Sequence, residues 1–143
     1  MTATRSRQEE KNYKKYLQTA DKKACVFCPI KKGDDNYIEE TTNFKVIRNR
    51  FAYSLWDGQK VTDHLMITPK KHTDDLANMT PKEKSEYVDL VDKYERLGYN
   101  IYSRSTTNAI RSIAHQHTHL IKTEGGNKRF VFLLRKPYIR IIK

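Results

Sequence analysis

Three of the chain's five histidines fall in one short run, His115-Gln116-His117-Thr118-His119, followed by the apolar pair Leu120-Ile121. In an extended segment side chains alternate with period two, so these three imidazoles point to one face. A row of imidazoles is poor core packing. Imidazole titrates near neutrality and binds metals, so the pattern suits a metal site or a site that handles phosphate. A second cluster is smaller. The only cysteines, Cys25 and Cys28, are spaced C-x-x-C. In a reducing compartment that spacing points to a metal site or a redox pair more than to a structural disulfide.

The elements that must position these groups are legible in the flanking sequence. Tyr13, Tyr16 and Leu17 recur at helical spacing in a Lys-rich stretch, which predicts a helix over residues 5–19. Pro29 and the run Gly33-Asp34-Asp35-Asn36 mark a break and a turn. Residues 44–49 read as a strand, Trp56-Asp57-Gly58 as a loop, and residues 64–68 as a short apolar strand stopped by Pro69. Thr80-Pro81-Lys82-Glu83 is a capping box with proline at the first helical position. Tyr87, Leu90, Val91, Tyr94 and Leu97 then form an apolar stripe, and Gly98 supplies the stop. Residues 99–103, 112–121, 130–134 and 138–142 read as strands, with a turn at Glu124-Gly125-Gly126-Asn127 and a break at Pro137. This order predicts one α+β domain spanning residues 1–143, its core over about 25–121, with two main helices and a mostly antiparallel sheet.

Histidines alternating with other residues and followed by two apolar residues resemble the signature of the histidine triad (HIT) superfamily. Other segments match in order. His64-Leu65-Met66-Ile67-Thr68-Pro69-Lys70-Lys71-His72 is similar to the family's segment of His, apolar strand, Pro, basic pair and His. Phe44-Lys45-Val46-Ile47-Arg48-Asn49-Arg50 resembles the strand that ends in a nucleoside-contacting Asp or Asn. Ser112 precedes the first triad histidine by three residues, as a phosphate-contacting serine does in many members, and Cys25-x-x-Cys28 lies where zinc-binding members carry that motif. There are departures. Family spacers in the triad are usually apolar, whereas Gln116 and Thr118 are polar. The Gly-rich stretch that commonly precedes the triad is replaced by Arg104-Ser105-Thr106-Thr107-Asn108-Ala109-Ile110-Arg111.

The resemblance implies a HIT-like sheet of five or more strands and a set of residue roles. His117 is the expected nucleophile toward the α-phosphorus of a nucleotide, giving a covalent nucleotidyl-histidine intermediate that water resolves. The backbone carbonyl of His115 is expected to hold one nitrogen of that ring. His119 is the expected donor to non-bridging phosphate oxygens, with Ser112 and Asn108 as further donors. Arg104 and Arg111 are candidates for phosphate binding, or for simple solvation. Asn49 is the candidate ribose contact. Phe44 and Ile47 can line the base pocket or belong to the core. Zinc-containing relatives use the cysteine pair, the histidine after the basic pair and the first triad histidine. Cys25, Cys28, His72 and His115 are therefore the expected structural zinc ligands. His64 is expected to make a structural hydrogen bond. A homodimer is implied, with the helix near residues 87–97 and the segment 130–134 as candidate interfaces.

The bulk numbers agree with a small protein for anionic partners. With 143 residues and 37% hydrophobic content, one modest core is expected. The net charge of +11 and a pI near 9.6 favour nucleotides, nucleic acid or other anions, although a solvated Lys-rich surface reads the same way. The N-terminal residues show no apolar leader and no run approaches the ~20 residues needed to span a bilayer, so a soluble, cytoplasmic protein without membrane partners is expected. The leading activity is hydrolysis of a nucleotidyl phosphoanhydride, ester or phosphoramidate, such as a dinucleoside polyphosphate. Nucleotidyl transfer or phosphorolysis is the related alternative, though Gln116 stands where sugar-phosphate uridylyltransferases favour proline. A basic nucleic-acid-binding adaptor without turnover is the third reading.

Overall fold

The computed structural model describes residues 4–19, 21, 24–109, 111–125, 131–135 and 138–142. Its elements run α1 (Arg7–Thr19), β1 (Tyr37–Glu40), β2 (Phe44–Arg48), β3 (Leu55–Trp56), β4 (Gln59–Pro69), α2 (Pro81–Arg96), β5 (Asn100–Ser103), β6 (Thr118–Thr123), β7 (Val131–Arg135) and β8 (Tyr138–Ile142). The main sheet is antiparallel, ordered β1-β2-β4-β6-β5, with β3 added to the arm of β4. These six strands and two helices match the expected α+β architecture. β7 and β8 form an antiparallel pair, and Phe130, Gly126, Asn127 and Pro137 lie outside the described residues.

Helix α2 begins as its capping box dictates. The Glu83 amide donates to Thr80 Oγ1, and the Thr80 amide donates to the Glu83 carboxylate at 2.7 Å. Its stripe then packs on one sheet face, where Leu90 and Tyr94 join Phe44, Val46, Leu65, Ile67, Met79 and Leu120 in the largest apolar cluster. Tyr87 and Val91 flank that cluster, whereas Leu97, at the C-cap, is exposed. Gly98 follows at φ 83°, the left-handed conformation that ends a helix. Each fully buried apolar side chain here contributes roughly 1.5–3 kcal/mol. The opposite sheet face carries Ile47 and Met66 against Phe27. Phe44 and Ile47 are thus core residues, not free walls of a base pocket.

Three expectations need correction. The segment at Trp56 is not a plain loop. Asp57 and Gly58, at φ 50° and 76°, form a two-residue turn joining β3 to a β4 that starts five residues before His64. Strand β1 carries no strong apolar alternation and was not foreseen. The strand expected from residue 112 begins only at Thr118. Arg111 explains this. Its guanidinium donates to the carbonyls of Asp74 at 2.6 Å, Ala114 at 2.5 Å and Ile113 at 3.1 Å, while the Gln116 amide donates to Thr73 O at 2.7 Å. The segment before β6 is therefore tied to the loop after β4, not to a neighbouring strand. His115 and His117 precede the strand, and only His119 lies in it.

Candidate functional site

Hydrogen-bond partners that can act in only one sense fix the imidazole tautomers. His115 is fully buried, and its Nε2 lies 3.0 Å from the Pro69 carbonyl, which can only accept. The proton is on Nε2, so Nδ1 carries a lone pair. That Nδ1 faces Cys25 Sγ at 3.1 Å and Cys28 Sγ at 3.5 Å, and His72 Nδ1 lies 3.3 Å from Cys28 Sγ. The four donor atoms lie within 4.8 Å of one another. Tetrahedral zinc with Zn–S near 2.3 Å and Zn–N near 2.05 Å sets sulfur–nitrogen edges of about 3.5 Å. The Cys25, Cys28, His72 and His115 donors fit such an ion in both chemistry and spacing.

Beneath this cluster is a residue that the sequence did not mark. Lys45 is only 4% exposed, yet its ammonium donates to Phe27 O at 2.6 Å, Ile30 O at 2.7 Å and, at 3.4 Å, Cys28 O. A buried charge is tolerated when it is fully hydrogen-bonded, and here the acceptors are two carbonyls of the C-x-x-C motif and that of Ile30 just after it. Lysine in a strand ordinarily reads as solvent-facing, so residue type gave no signal.

His117 presents the complementary tautomer. Its Nδ1 donates to the His115 carbonyl at 2.8 Å, which leaves the lone pair on Nε2. Nε2 makes no hydrogen bond among the described residues. The ring is 8% exposed and packs on Phe27 at 5.2 Å between centroids. Burial lowers its pKa, and the charges of Arg111 and Arg104 act in the same direction, against the hydrogen bond to His115 O. A neutral ring with an unshared pair is the form that attacks an electrophile.

His119 and His64 form a buried pair on the same sheet face. The Tyr53 amide, which can only donate, reaches His64 Nδ1 at 3.1 Å. His64 therefore carries its proton on Nε2, which faces His119 Nδ1 at 2.9 Å. The remaining proton of a neutral His119 sits on Nε2, a buried atom with no hydrogen-bond partner among the described residues. Burial drives His64 down to about 3 and His119 well below the ordinary histidine value, so both rings are neutral at physiological pH. The expected structural hydrogen bond of His64 is present, and one partner is the last triad histidine.

The polar spacers also have partners. Thr118 Oγ1 pairs with Tyr87 OH of α2 at 2.8 Å, and Gln116 Nε2 donates to Ser103 Oγ at 3.1 Å. Among the other candidates, Asn49 lies against the pair with its Oδ1 accepting from the Phe51 amide; its Nδ2 sits 3.1 Å from the protonated His64 Nε2 without bonding it, since both atoms are donors. Arg104 is half-buried and stacked behind Tyr102, donating to Tyr102 OH at 3.1 Å; the Tyr102 ring in turn stacks on His119. Arg111 is engaged by backbone carbonyls, as described. Asn108 and Ser112 are exposed on the segment leading to the triad.

No protein-family model matches the chain. In sequence it is similar to the protein hit of Bacillus subtilis, 26% identical over 115 residues that cover 74% of this chain and 75% of that protein. It is also similar to an uncharacterized HIT-like protein of Borreliella burgdorferi, 28% identical over 120 residues, covering 73% and 82%. In structure it is similar to a Zn-bound histidine triad family protein from Mycobacterium smegmatis, with TM-score 0.56 and 26% identity over 76% of this chain and 81% of that one. A HIT family hydrolase from Legionella pneumophila shares the fold at TM-score 0.52 and 20% identity, covering 73% and 95%. A histidine triad nucleotide-binding protein from Candida albicans does so at TM-score 0.54 and 23% identity, covering 71% and 76%. The chain is thus similar to HIT-like proteins in sequence and shares their antiparallel α+β fold.

Proposed function

We propose that the protein hydrolyses a nucleotidyl phosphoanhydride, ester or phosphoramidate through a covalent intermediate on His117. The observation that carries this reading is the pair of opposite tautomers. His117 offers a lone pair on Nε2, and His119 offers a buried, unpartnered N–H. In the first step His117 Nε2 bonds to the α-phosphorus and the bond from phosphorus to the leaving group breaks, its electron pair departing with that group. Water then attacks the same phosphorus, the P–N bond breaks, and a nucleoside monophosphate leaves. His119 Nε2–H hydrogen-bonds the non-bridging oxygens as charge builds, a donor already desolvated and oriented. Ser112 and Asn108 are further donors, Asn49 contacts the ribose, and Arg104 and Arg111 supply positive charge near the phosphates. The presence of a HIT family hydrolase and a histidine triad nucleotide-binding protein among the similar structures supports this class.

Cys25, Cys28, His72 and His115 would hold zinc, a reading supported by the Zn-bound histidine triad protein among the similar structures. When bound, the ion supplies a rigid four-way cross-link between the C-x-x-C turn, the segment after β4 and the triad. A homodimer is part of the same reading, favoured by the exposed apolar Val88 and Leu97 on and beside α2 and by Ile101 on the edge strand β5. No helix among the described residues is long and apolar enough to cross a membrane.

The test is turnover of a panel of dinucleoside polyphosphates and adenosine phosphoramidates by the wild type and His117→Ala. A loss of ~10³-fold or more in kcat, with the fold kept, is expected on removing a nucleophile. Wild-type enzyme denatured at alkaline pH, where the P–N bond survives, is expected to carry one nucleotidyl group on His117 by mass spectrometry. Comparable turnover by the variant would remove His117 from that role. Salt-dependent binding of DNA or RNA without turnover would favour the adaptor reading instead.

A further inference from the structure

The donor that sets the His64 tautomer, the Tyr53 amide, lies in the loop between β2 and β3 and not in a strand. That loop is held from outside by the N-terminal segment. Thr4 accepts at its carbonyl from the amides of Ser54 at 2.8 Å and Leu55 at 3.1 Å, and its own amide donates to Leu55 O at 3.1 Å. Arg5 Nε donates to Phe51 O at 3.0 Å. The Arg5 guanidinium sits between two rings, 4.2 Å from the centroid of Tyr13 on α1 and 5.1 Å from that of Tyr53. Phe51 packs on Tyr13 and Tyr16, and Ser54 Oγ bonds the Glu9 carboxylate.

Helix α1 does little for the core. It has no buried residue and joins none of the three apolar clusters. Its contacts converge on residues 51–55. The ring of Tyr53 in turn packs at a tilt against both histidines, 4.8 Å from His64 and 5.8 Å from His119 between centroids.

We infer that Arg5 is a positioning residue for the histidine pair. The N-terminal segment clamps the loop so that the Tyr53 amide stays on His64 Nδ1 and the His119 N–H stays oriented. The inference rests on the hydrolase reading for its catalytic consequence, and on hydrogen bonding alone for its structural one. The Arg5 cation also disfavours protonation of both rings, in the same direction as burial. A backbone bond at the far end of the pair fixes a proton at the near end because each imidazole has one donor and one acceptor.

The test compares full-length wild type, Arg5→Met and Arg5→Lys. Methionine keeps an apolar stem between the rings but removes the donor and the charge. Long-range proton–nitrogen NMR of the imidazoles is expected to show His64 in the single Nε2–H tautomer in the wild type and in mixed tautomers in Arg5→Met. The kcat of Arg5→Met is expected to fall about 10-fold with KM within about 3-fold, since one oriented donor is loosened, not removed. Arg5→Lys, which can donate to Phe51 O and remain cationic between the rings, is expected to restore both readouts. If Arg5→Met is too unstable to measure, Tyr13→Leu removes the outer ring and is expected to shift both in the same direction. An unchanged imidazole spectrum overturns the inference, as does a shifted spectrum with wild-type kcat, or a fall in kcat that lysine does not recover. Should the wild type turn over none of the panel, the hydrolase reading fails and the tautomer result still decides whether Arg5 positions the pair.

Discussion

His64 Nε2 lies 2.9 Å from His119 Nδ1, and this hydrogen bond decides which nitrogen of the last triad residue is left to donate. Without it the His119 proton can sit on either nitrogen, and the buried Nδ1 loses its partner. Leaving one buried polar atom unsatisfied costs about 1–3 kcal/mol. His64→Leu is therefore expected to lower kcat by about 10²-fold, the scale seen when one oriented donor is removed from a site. His64→Gln keeps an amide N–H near Nδ1 and is expected to recover part of that loss. Steady-state kinetics of both variants decide the matter. A leucine variant within threefold of wild type would deprive the pair of functional weight.

Much of this site was legible because residue type and spacing carry the chemistry. The zinc-type donors and the triad were recognisable from Cys25, Cys28, His72 and His115–His119, and the structure brings each set together. The capping box at Thr80 was legible because its hydrogen bonds are local. What failed to show were roles set by distant backbone groups. Arg111 read as a candidate for phosphate binding or simple solvation, and its bonds to the carbonyls of Asp74, Ile113 and Ala114 add a structural role that the sequence did not mark. The strand expected at Ser112 was lost for the same reason. Lys45 and Arg5 act on carbonyls 15–46 residues away in sequence, which no local pattern encodes. The Asp57-Gly58 turn was different. Its signal was present, but the flanking strand Leu55–Trp56 is too short to alternate.

Lys45 ties the metal-type cluster to the sheet. Its ammonium bonds carbonyls at positions 27, 28 and 30, so Lys45→Met would strand those acceptors in the interior. The expected cost is about 2–4 kcal/mol of stability by urea unfolding. The same variant is expected to release zinc to a competing chromophoric chelator at least ~10-fold more readily than wild type, because the turn that aims Cys25 and Cys28 is no longer preorganised. The control is elemental analysis of tag-free wild type never exposed to chelator, where about one equivalent of zinc is expected. Less than about a tenth of an equivalent discards the metal site, while equal zinc retention in both proteins discards the role of Lys45.

The buried histidines predict an acid dependence of definite sign. His64 is held down at about 3, against an ordinary value of 6.5, chiefly by burial, with Arg5 acting in the same direction and Asp63 opposing it. His119 is displaced the same way. Between these values the unfolded chain binds protons that the native state refuses. Stability is therefore intact above about pH 6.5 and falls as pH drops toward 3. His64 contributes a slope of roughly 1.4 kcal/mol per pH unit in that window, and His119 acts in the same direction. His64→Gln has one titrating group fewer, so its urea-unfolding free energy, measured at intervals from neutrality to about pH 4, should decline less steeply by close to one proton's worth. Parallel slopes for the two proteins would mean that His64 takes up its proton as readily in the native state as in the unfolded chain, and the neutral pair described here could not then persist.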